Sequence, residues 1–304
     1  METISVVLSV FNEEARLART LAVLLWVDEI IVIDNESTDQ TAGIAKKYGA
    51  TVYKEKNNLM LNINKNKGFI KAKSDWILNL DGDEVVPPEL AQEIKTVISR
   101  QSSVVSQQVV GYWIPRKNII FGKWIQHGLW WPDQQVRLFR RGKGKFPCEH
   151  IHEYIKVDGP VGQLTQPYIH YNYESVHQYL TKIDRASTSE SITLRETNYR
   201  TIWYDAIRFP LSDFLKIYFA ERAYKDGLHG LVLALLQSFY SFCTFAKLWE
   251  SEKFSEHEIP VSVVGKELVR AQREVRYWLL SAKIGETHYA IKKIWYRIIR
   301  KYAR

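Results

Sequence analysis

Hydrophobic residues in the first ninety positions fall into short blocks whose period switches back and forth. Ile4 to Val10 is a β-branched run suited to a buried strand. It breaks at Phe11-Asn12-Glu13-Glu14, where Asn12 suits a helix N-cap and the glutamates suit the helix's positive end. Leu17, Leu21, Leu24 and Leu25 follow at helical spacing. Glu29 to Ile33 predicts a second strand, ending at Asp34-Asn35-Glu36-Ser37-Thr38-Asp39. A Ser/Thr-capped helix runs on to about Tyr48, Gly49 stops it, and Thr51 to Tyr53 begins a third strand. A helix over Lys65 to Lys73 and a strand from Trp76 to Asp81 complete a β-α-β-α-β-α-β order. That order predicts a parallel sheet covered by helices on both faces, with ligands beyond the carboxyl ends of its strands.

Three of those strand ends carry polar clusters: Asn12-Glu13, Asp34-Asn35 and Asp81-Gly82-Asp83. Asp-Gly-Asp alone suits a tight turn. Convergence with the other two points to a nucleotide site. The chain has neither G-x-G-x-x-G nor G-x-x-x-x-G-K-[ST], so a glycine-rich loop is not what holds phosphate. Asp81 and Asp83 could instead hold Mg²⁺ or Mn²⁺, hard cations that take oxygen ligands and complete their shell with phosphates.

Pro87-Pro88 opens a helix predicted to reach about Arg100, followed by a polar surface connection over 101–109. Tyr112–Pro115 and Ile119–Phe121 predict two strands, and an aromatic stretch with Trp124, Trp130 and Trp131 leads to Asp133, Arg137, Arg140 and Arg141. Clustered tryptophans beside polar groups suit a carbohydrate acceptor, which makes Trp130 and Trp131 candidate acceptor contacts; each ring could equally be core. Transfer to a hydroxyl needs a base, for which Asp133 is the first candidate and Glu149 the second. Arg137 or Arg140 could neutralise a diphosphate leaving group. His150, His152 and His170 with Glu149 and Glu153 could suggest zinc, but no H-E-x-x-H or cysteine pair accompanies them. Acceptor contact, with His152 as the candidate, or hydrogen bonding that closes the site is the preferred reading.

Composition is that of a globular chain, 46% apolar and 25% charged. Cys148 and Cys243 provide no disulfide framework, which fits a reducing compartment, and the N-terminus reads as a strand and not a signal peptide. The formal charge of +8 is concentrated: Lys266 to Arg304 holds 11 Lys and Arg against 3 Glu. Ile291, Trp295, Ile298 and Tyr302 line one helical face there, with Lys292, Lys293, Arg297, Arg300, Lys301 and Arg304 on the other side. Such a helix lies on an anionic membrane surface, or packs on the core by its apolar stripe. Gly227 to Trp249 approaches the length of a membrane span, yet His229, Gln237 and Lys247 favour an interfacial or re-entrant helix, with a core helix as the alternative.

The segments Ser-Val-Val-Leu-Ser-Val-Phe-Asn-Glu-Glu, Val-Ile-Asp34-Asn-Glu-Ser-Thr-Asp-Gln-Thr and Leu-Asp81-Gly-Asp83-Glu resemble the nucleotide-sugar half of family 2 glycosyltransferases of the GT-A fold. The likeness is closest to the bacterial β-1,4-glucosyltransferase branch that builds lipopolysaccharide core. The resemblance implies an α/β, Rossmann-like mixed sheet over residues 1–175, and a helical, membrane-associating extension over 176–304. It implies donor contacts from Phe11, Asn12, Glu13, Asp34, Lys65, Asn66, Asp81, Gly82 and Arg137, with Asp34 on the uridine and Asp81 and Asp83 as the DxD pair at the metal. Lys65-Asn66-Lys67-Gly68 resembles the family's Arg-Asn-x-Gly, with a point charge replacing a guanidinium fork. The expected activity is inverting transfer of a hexose from a nucleotide diphosphate sugar to a lipid-linked saccharide, at the cytoplasmic face of a bacterial inner membrane. No nucleic acid is expected. The competing reading is a non-catalytic module of the same fold that binds anionic membrane or nucleic acid through its basic tail.

Overall fold

The computed structural model describes residues 2–58, 61–101, 109–149 and 153–303. His150, His152 and most of the predicted connection after the fourth helix lie outside the described residues. The chain divides into two units, Met1–Ile119 with Trp131–Asn172, and Ile120–Trp130 with Tyr173–Arg304. The segment Ile120–Trp130, read from sequence as part of the α/β region, groups with the helical unit.

In the first unit the chain runs β1 (Ile4–Val10), α1 (Leu17–Ala22), β2 (Glu29–Asp34), α2 (Thr41–Lys47), β3 (Thr51–Lys54), α3 (Leu61–Lys71), β4 (Trp76–Leu80), β5 (Glu84–Val85), α4 (Pro88–Gln101) and β6 (Gly111–Ile120). After β7 (Lys123–Trp124), in the second unit, follow β8 (Gln134–Arg140), β9 (Gly144–Lys145), β10 (Lys156–Val157), β11 (Val161–Gln163) and β12 (Tyr168–Tyr173). Strands of the main sheet lie in the order β3-β2-β1-β4-β8-β6-β12-β5. β1 runs parallel to β2 and β4, and β2 to β3. β8 enters antiparallel to both β4 and β6, making the sheet mixed.

Alternate residues of the buried strands serve opposite faces. Val6, Leu8, Val10, Leu78 and Leu80 pack with Leu17 and Leu21 of α1, Ala45 of α2 and Leu90 and Ile94 of α4. Val7, Ile31, Ile33 and Ile77 pack on the other side with Phe69 and Ala72 of α3. Gly68 lets α3 approach the sheet: a Cβ there would lie 2.4 Å from Val7 Cγ1 and 3.1 Å from Ile33 Cγ1. Gly68→Ala is therefore expected to cost about 1–3 kcal/mol by overpacking, read as a lowered denaturant midpoint with unchanged slope.

Three local expectations are corrected. Asn12 does not cap a helix, because its φ is 52° and its Oδ1 accepts from Thr38 N at 2.9 Å. The chain makes a turn closed by Leu17 N on Glu13 O at 2.9 Å, and α1 starts only at Leu17. The helix expected from Lys65 begins a turn earlier, at Leu61. The two strands expected over 112–121 are one ten-residue strand, β6, with a register irregularity between Tyr112 and Trp113. Its polar middle, Arg116-Lys117-Asn118, faces partners that no local pattern reveals.

The second unit contains α5 (Val176–Glu196), α6 (Asp205–Leu215), α7 (Leu228–Ser251), α8 (Val261–Glu286) and α9 (Ala290–Lys301). α7 is the one described helix long and apolar enough to cross a membrane, at mean hydropathy 1.5. Its polar residues are packing partners within the unit: Gln237 accepts from Tyr179 Oη at 3.2 Å, Lys247 pairs with Asp184 at 2.7 Å, and Ser241 donates to Asp213. Leu233, Ala234 and Leu248 are buried, while Leu228, Leu235, Phe239 and Phe242 are exposed. α7 thus packs on α5 and α6 by one face and leaves an apolar stripe exposed. α9 packs against α8 and buries none of its residues; Ile291 is 84% exposed and Trp295 57%.

Candidate active site

The polar loops after β1 and β2 are stitched together at the carboxyl rim of the sheet. Asn12 N donates to Ser37 Oγ at 3.0 Å, and Glu13 N to Thr41 Oγ1 at 2.8 Å. Asn35 Nδ2 donates to Val10 O at 2.9 Å, while Asn64 Nδ2 reaches Asn35 Oδ1 at 2.6 Å. Asp34, at the end of β2, is fully buried and accepts from Ser37 N at 3.1 Å through Oδ1. Its Oδ2 is buried with no hydrogen-bond partner. An unsatisfied buried carboxylate oxygen costs enough to call for a ligand donor. Phe11, the residue after β1, is exposed.

β4 delivers Asp81, Gly82 and Asp83 to the same rim. Asp81 Oδ1 lies 2.6 Å from Lys65 Nζ on α3, and Oδ2 lies 2.9 Å from Arg137 Nη2 on β8. Burial alone would raise this carboxyl, but the two cations hold it well below the usual carboxylate range. Gly82 sits where a Cβ would meet Glu13 Cγ at 3.1 Å and Val10 Cγ1 at 3.3 Å, so a side chain there would crowd the first loop. Asp83 lies 3.6 Å from His170 Nε2 through Oδ1 and 3.7 Å from Arg16 Nη1 through Oδ2. His170 reaches it because β12 pairs antiparallel with β5, placing His170 opposite Glu84.

Glu84 is fully buried; its Oε2 accepts from Asp81 N at 2.9 Å and its Oε1 pairs with Arg137. Burial raises its carboxyl even against that guanidinium, while Arg137 is driven well above its ordinary value by the Glu84 and Asp81 carboxylates despite its own burial. Arg137 Nε also donates to Tyr168 Oη at 3.3 Å. Asp133 Oδ2 takes Arg116 Nε at 2.7 Å and Asn118 Nδ2 at 3.1 Å, and Oδ1 takes Gln135 Nε2 at 3.0 Å. Asn118 in turn meets His170 Nδ1 at 2.8 Å. One connected corner therefore contains Asp81, Asp83, Glu84, Lys65, Arg137, His170, Asn118 and Asp133.

Other sequence candidates fall elsewhere. Asn66 uses its amide to fasten α3 to the segment after β9, donating to Phe146 O at 2.9 Å and accepting from Phe146 N at 2.9 Å. Glu149 is exposed, and its backbone N donates to Glu153 Oε2 at 3.1 Å. Trp130 is corrected from acceptor wall to core: it is buried with Tyr179, Ile183 and Leu233 of the second unit. Trp131 is half-buried in the first unit. Arg116, Asn118, Glu84 and Tyr168 were not singled out by sequence. The signal available for the first two was their i, i+2 spacing, which puts both on one face of a strand.

Among the described residues no group of three or more His, Cys, Asp or Glu side chains could hold a metal ion. Asp83 with His170 is the pair that could hold a divalent cation whose remaining positions go to water and phosphate. Asp81 is already neutralised by two cations.

The Glycosyl transferase family 2 model matches residues 5–153. The chain is 26% identical over 249 residues to the lipopolysaccharide core biosynthesis glycosyltransferase LpsC of Rhizobium meliloti, covering 79% of this chain and 89% of that protein. It is 28% identical over 276 residues to an uncharacterized glycosyltransferase of Rickettsia typhi, covering 82% and 88% of the two chains. The crystal structure of S. aureus TarS 1-349 in complex with UDP-GlcNAc is similar at 16% identity, covering 84% of this chain and 93% of that one, with a TM-score of 0.43. Residues 5–153, which carry the mixed sheet and the acidic rim, form a glycosyl transferase family 2 domain.

Proposed function

We propose that this glycosyltransferase moves a hexose from a uridine diphosphate sugar to a hydroxyl of a lipid-linked saccharide, of the lipopolysaccharide-core type, with inversion at the anomeric carbon. The observation that carries the reading is the corner where Asp83 and His170 face each other beside the Lys65–Asp81–Arg137 network. The orphaned Oδ2 of Asp34 suits a donor N–H from the base of the nucleotide. Phe11 and the Asn12-Glu13 loop would border that base, and Gly82 keeps the acidic turn close to it. Asp83 and His170 would hold Mg²⁺ or Mn²⁺, which supplies charge stabilisation for the departing diphosphate. Lys65 and Arg137 place positive charge at the same corner.

Asp133 is the favoured base. Arg116 and Asn118 fasten Oδ2, while Oδ1, which accepts from Gln135, would take the acceptor hydroxyl. In the proposed step Asp133 takes the hydroxyl proton as the acceptor oxygen bonds to the anomeric carbon. The bond from that carbon to the diphosphate oxygen breaks on the opposite face, leaving with its electron pair. Glu149 is the second candidate, exposed and outside this network. Trp131 and His152 are kept as acceptor contacts. Asp34→Ala should raise KM for the donor with a smaller effect on kcat; a change confined to kcat would contradict the role given to Asp34.

The lipid-linked acceptor is supported by the LpsC likeness and by α9, whose apolar face lies open beside Lys292, Lys293, Arg297, Arg300 and Lys301. Near an anionic surface each such cation contributes about 1 kcal/mol. Binding to vesicles containing phosphatidylglycerol should weaken steeply with salt and drop on removal of residues 288–304. Equal binding to neutral vesicles, or unchanged binding after the truncation, would remove the membrane from the account. This is the basis for placing the enzyme at the cytoplasmic face of a bacterial inner membrane.

A further inference from the structure

Asn118 is fully buried on β6 between two groups of the candidate site. Its Nδ2 lies 3.1 Å from Asp133 Oδ2 and its Oδ1 lies 2.8 Å from His170 Nδ1. Chemistry fixes which end of the amide faces which neighbour. Asp133 Oδ2, already bound by the Arg116 guanidinium, only accepts, so the NH₂ end must face it and the carbonyl end must face the imidazole. A carbonyl oxygen also only accepts. His170 must therefore carry a proton on Nδ1, and a neutral ring then presents its lone pair at Nε2. Nε2 is the atom 3.6 Å from Asp83 Oδ1, a separation too long for a hydrogen bond. On a neutral ring Nε2 and Asp83 Oδ1 are two electron-pair donors 3.6 Å apart, which a cation would bridge.

We infer that Asn118 is a positioning residue: oriented by Asp133, it holds His170 in the Nδ1–H tautomer, so that Nε2 and Asp83 together face a divalent cation. The tautomer of a ligating histidine is commonly set this way, by the acceptor on its other nitrogen. The same amide joins the cation pair to the proposed base, so one strand face, through Arg116 and Asn118, sets the geometry of both. The inference rests on the proposed reading of this corner as the donor and metal site.

The test uses the full metal-free chain with ¹⁵N-labelled histidine, the His170 signals being assigned by comparison with His170→Gln. Long-range ¹⁵N–¹H correlation should show His170 protonated at Nδ1 and bare at Nε2. In Asn118→Leu the proton should move to Nε2, the position a solvated imidazole favours, and Mn²⁺ affinity, read from the EPR signal of the free ion, should fall about 10–100-fold. Asn118→Asp keeps an acceptor against Nδ1 and should keep the tautomer. A wild-type ring protonated at Nε2, or an Asn118→Leu variant with the wild-type tautomer or Mn²⁺ affinity, would overturn the inference. If Asn118→Leu does not fold, the wild-type and Asn118→Asp spectra decide. Failure of the metal reading looks different: Mn²⁺ uptake would survive Asp83→Asn unchanged while the wild-type tautomer remained Nδ1–H.

Discussion

Arg137→Met is expected to destabilise the first unit by about 3–5 kcal/mol, the usual cost of stranding a buried charge by removing its partner. Arg137 is itself buried and holds the side chains of Asp81 and Glu84 at once, and Glu84 has no exposure to water. Met roughly replaces the volume, so the loss measures charge and not a cavity. Adding Glu84→Gln to Arg137→Met should recover most of the loss, because the stranded group is then neutral. Simple addition of the two single costs would show that the pair is not coupled. The pH dependence follows from the directions of the shifts. Asp81 is lowered in the folded chain, so its contribution is present above its unfolded value, near ~4, and is lost as pH falls. Glu84 is raised, so its contribution has the opposite sign: favourable at low pH and a cost as pH rises through its folded value. Without Arg137 both carboxyls shift upward, and the deficit of Arg137→Met should shrink as pH is lowered below about 5. Urea titrations at pH 4.5 and 7.5 would read this directly.

The second large effect is expected at Asp83. Asp83 meets His170 and Arg16 at 3.6 and 3.7 Å, whereas Lys65 and Arg137 close on Asp81 at 2.6 and 2.9 Å, so Asp83→Ala is expected to cost the fold less than Asp81→Ala. Loss of the carboxylate facing the departing diphosphate should lower kcat by about 10²–10³-fold, the scale seen when a preorganised electrostatic contact is deleted. The unfolding midpoint should move by less than about 1 kcal/mol in free energy. Asp81→Ala should differ, losing stability as well as turnover, because Lys65 and Arg137 both close on Asp81. Equal stability losses in the two variants would contradict this division between a structural and a functional carboxylate.

Much of the first unit was legible because β1, β2 and β4 are buried on both faces and read as unbroken apolar runs. Their polar ends, Asn12-Glu13, Asp34 and Asp81-Gly82-Asp83, could be brought to one rim by the parallel order alone. What local pattern could not give was pairing across the sheet. Glu84 looked like one more acid after a turn, whereas Arg137, 53 residues later, makes it the buried floor of the site. Arg116 and Asn118 sit in a polar stretch that resembles a break between strands, and only Asp133 and His170 turn that stretch into a continuous β6. Asn12 followed helix-capping statistics in its residue type but spent its side chain on Thr38 across the rim. In α7, Gln237, Lys247 and Ser241 have partners on α5 and α6 that the local pattern did not show.

In the proposed function the Asp83–His170 corner supports metal-dependent transfer from a nucleoside diphosphate sugar. Release of nucleoside diphosphate from a panel of nucleotide sugars, measured with a lipid-linked saccharide acceptor and with Mg²⁺, Mn²⁺ or a chelator, tests it most directly. The account predicts release from a uridine diphosphate hexose that stops with the chelator and is lost in Asp83→Ala. Release that continues unchanged with the chelator and in Asp83→Ala would contradict it.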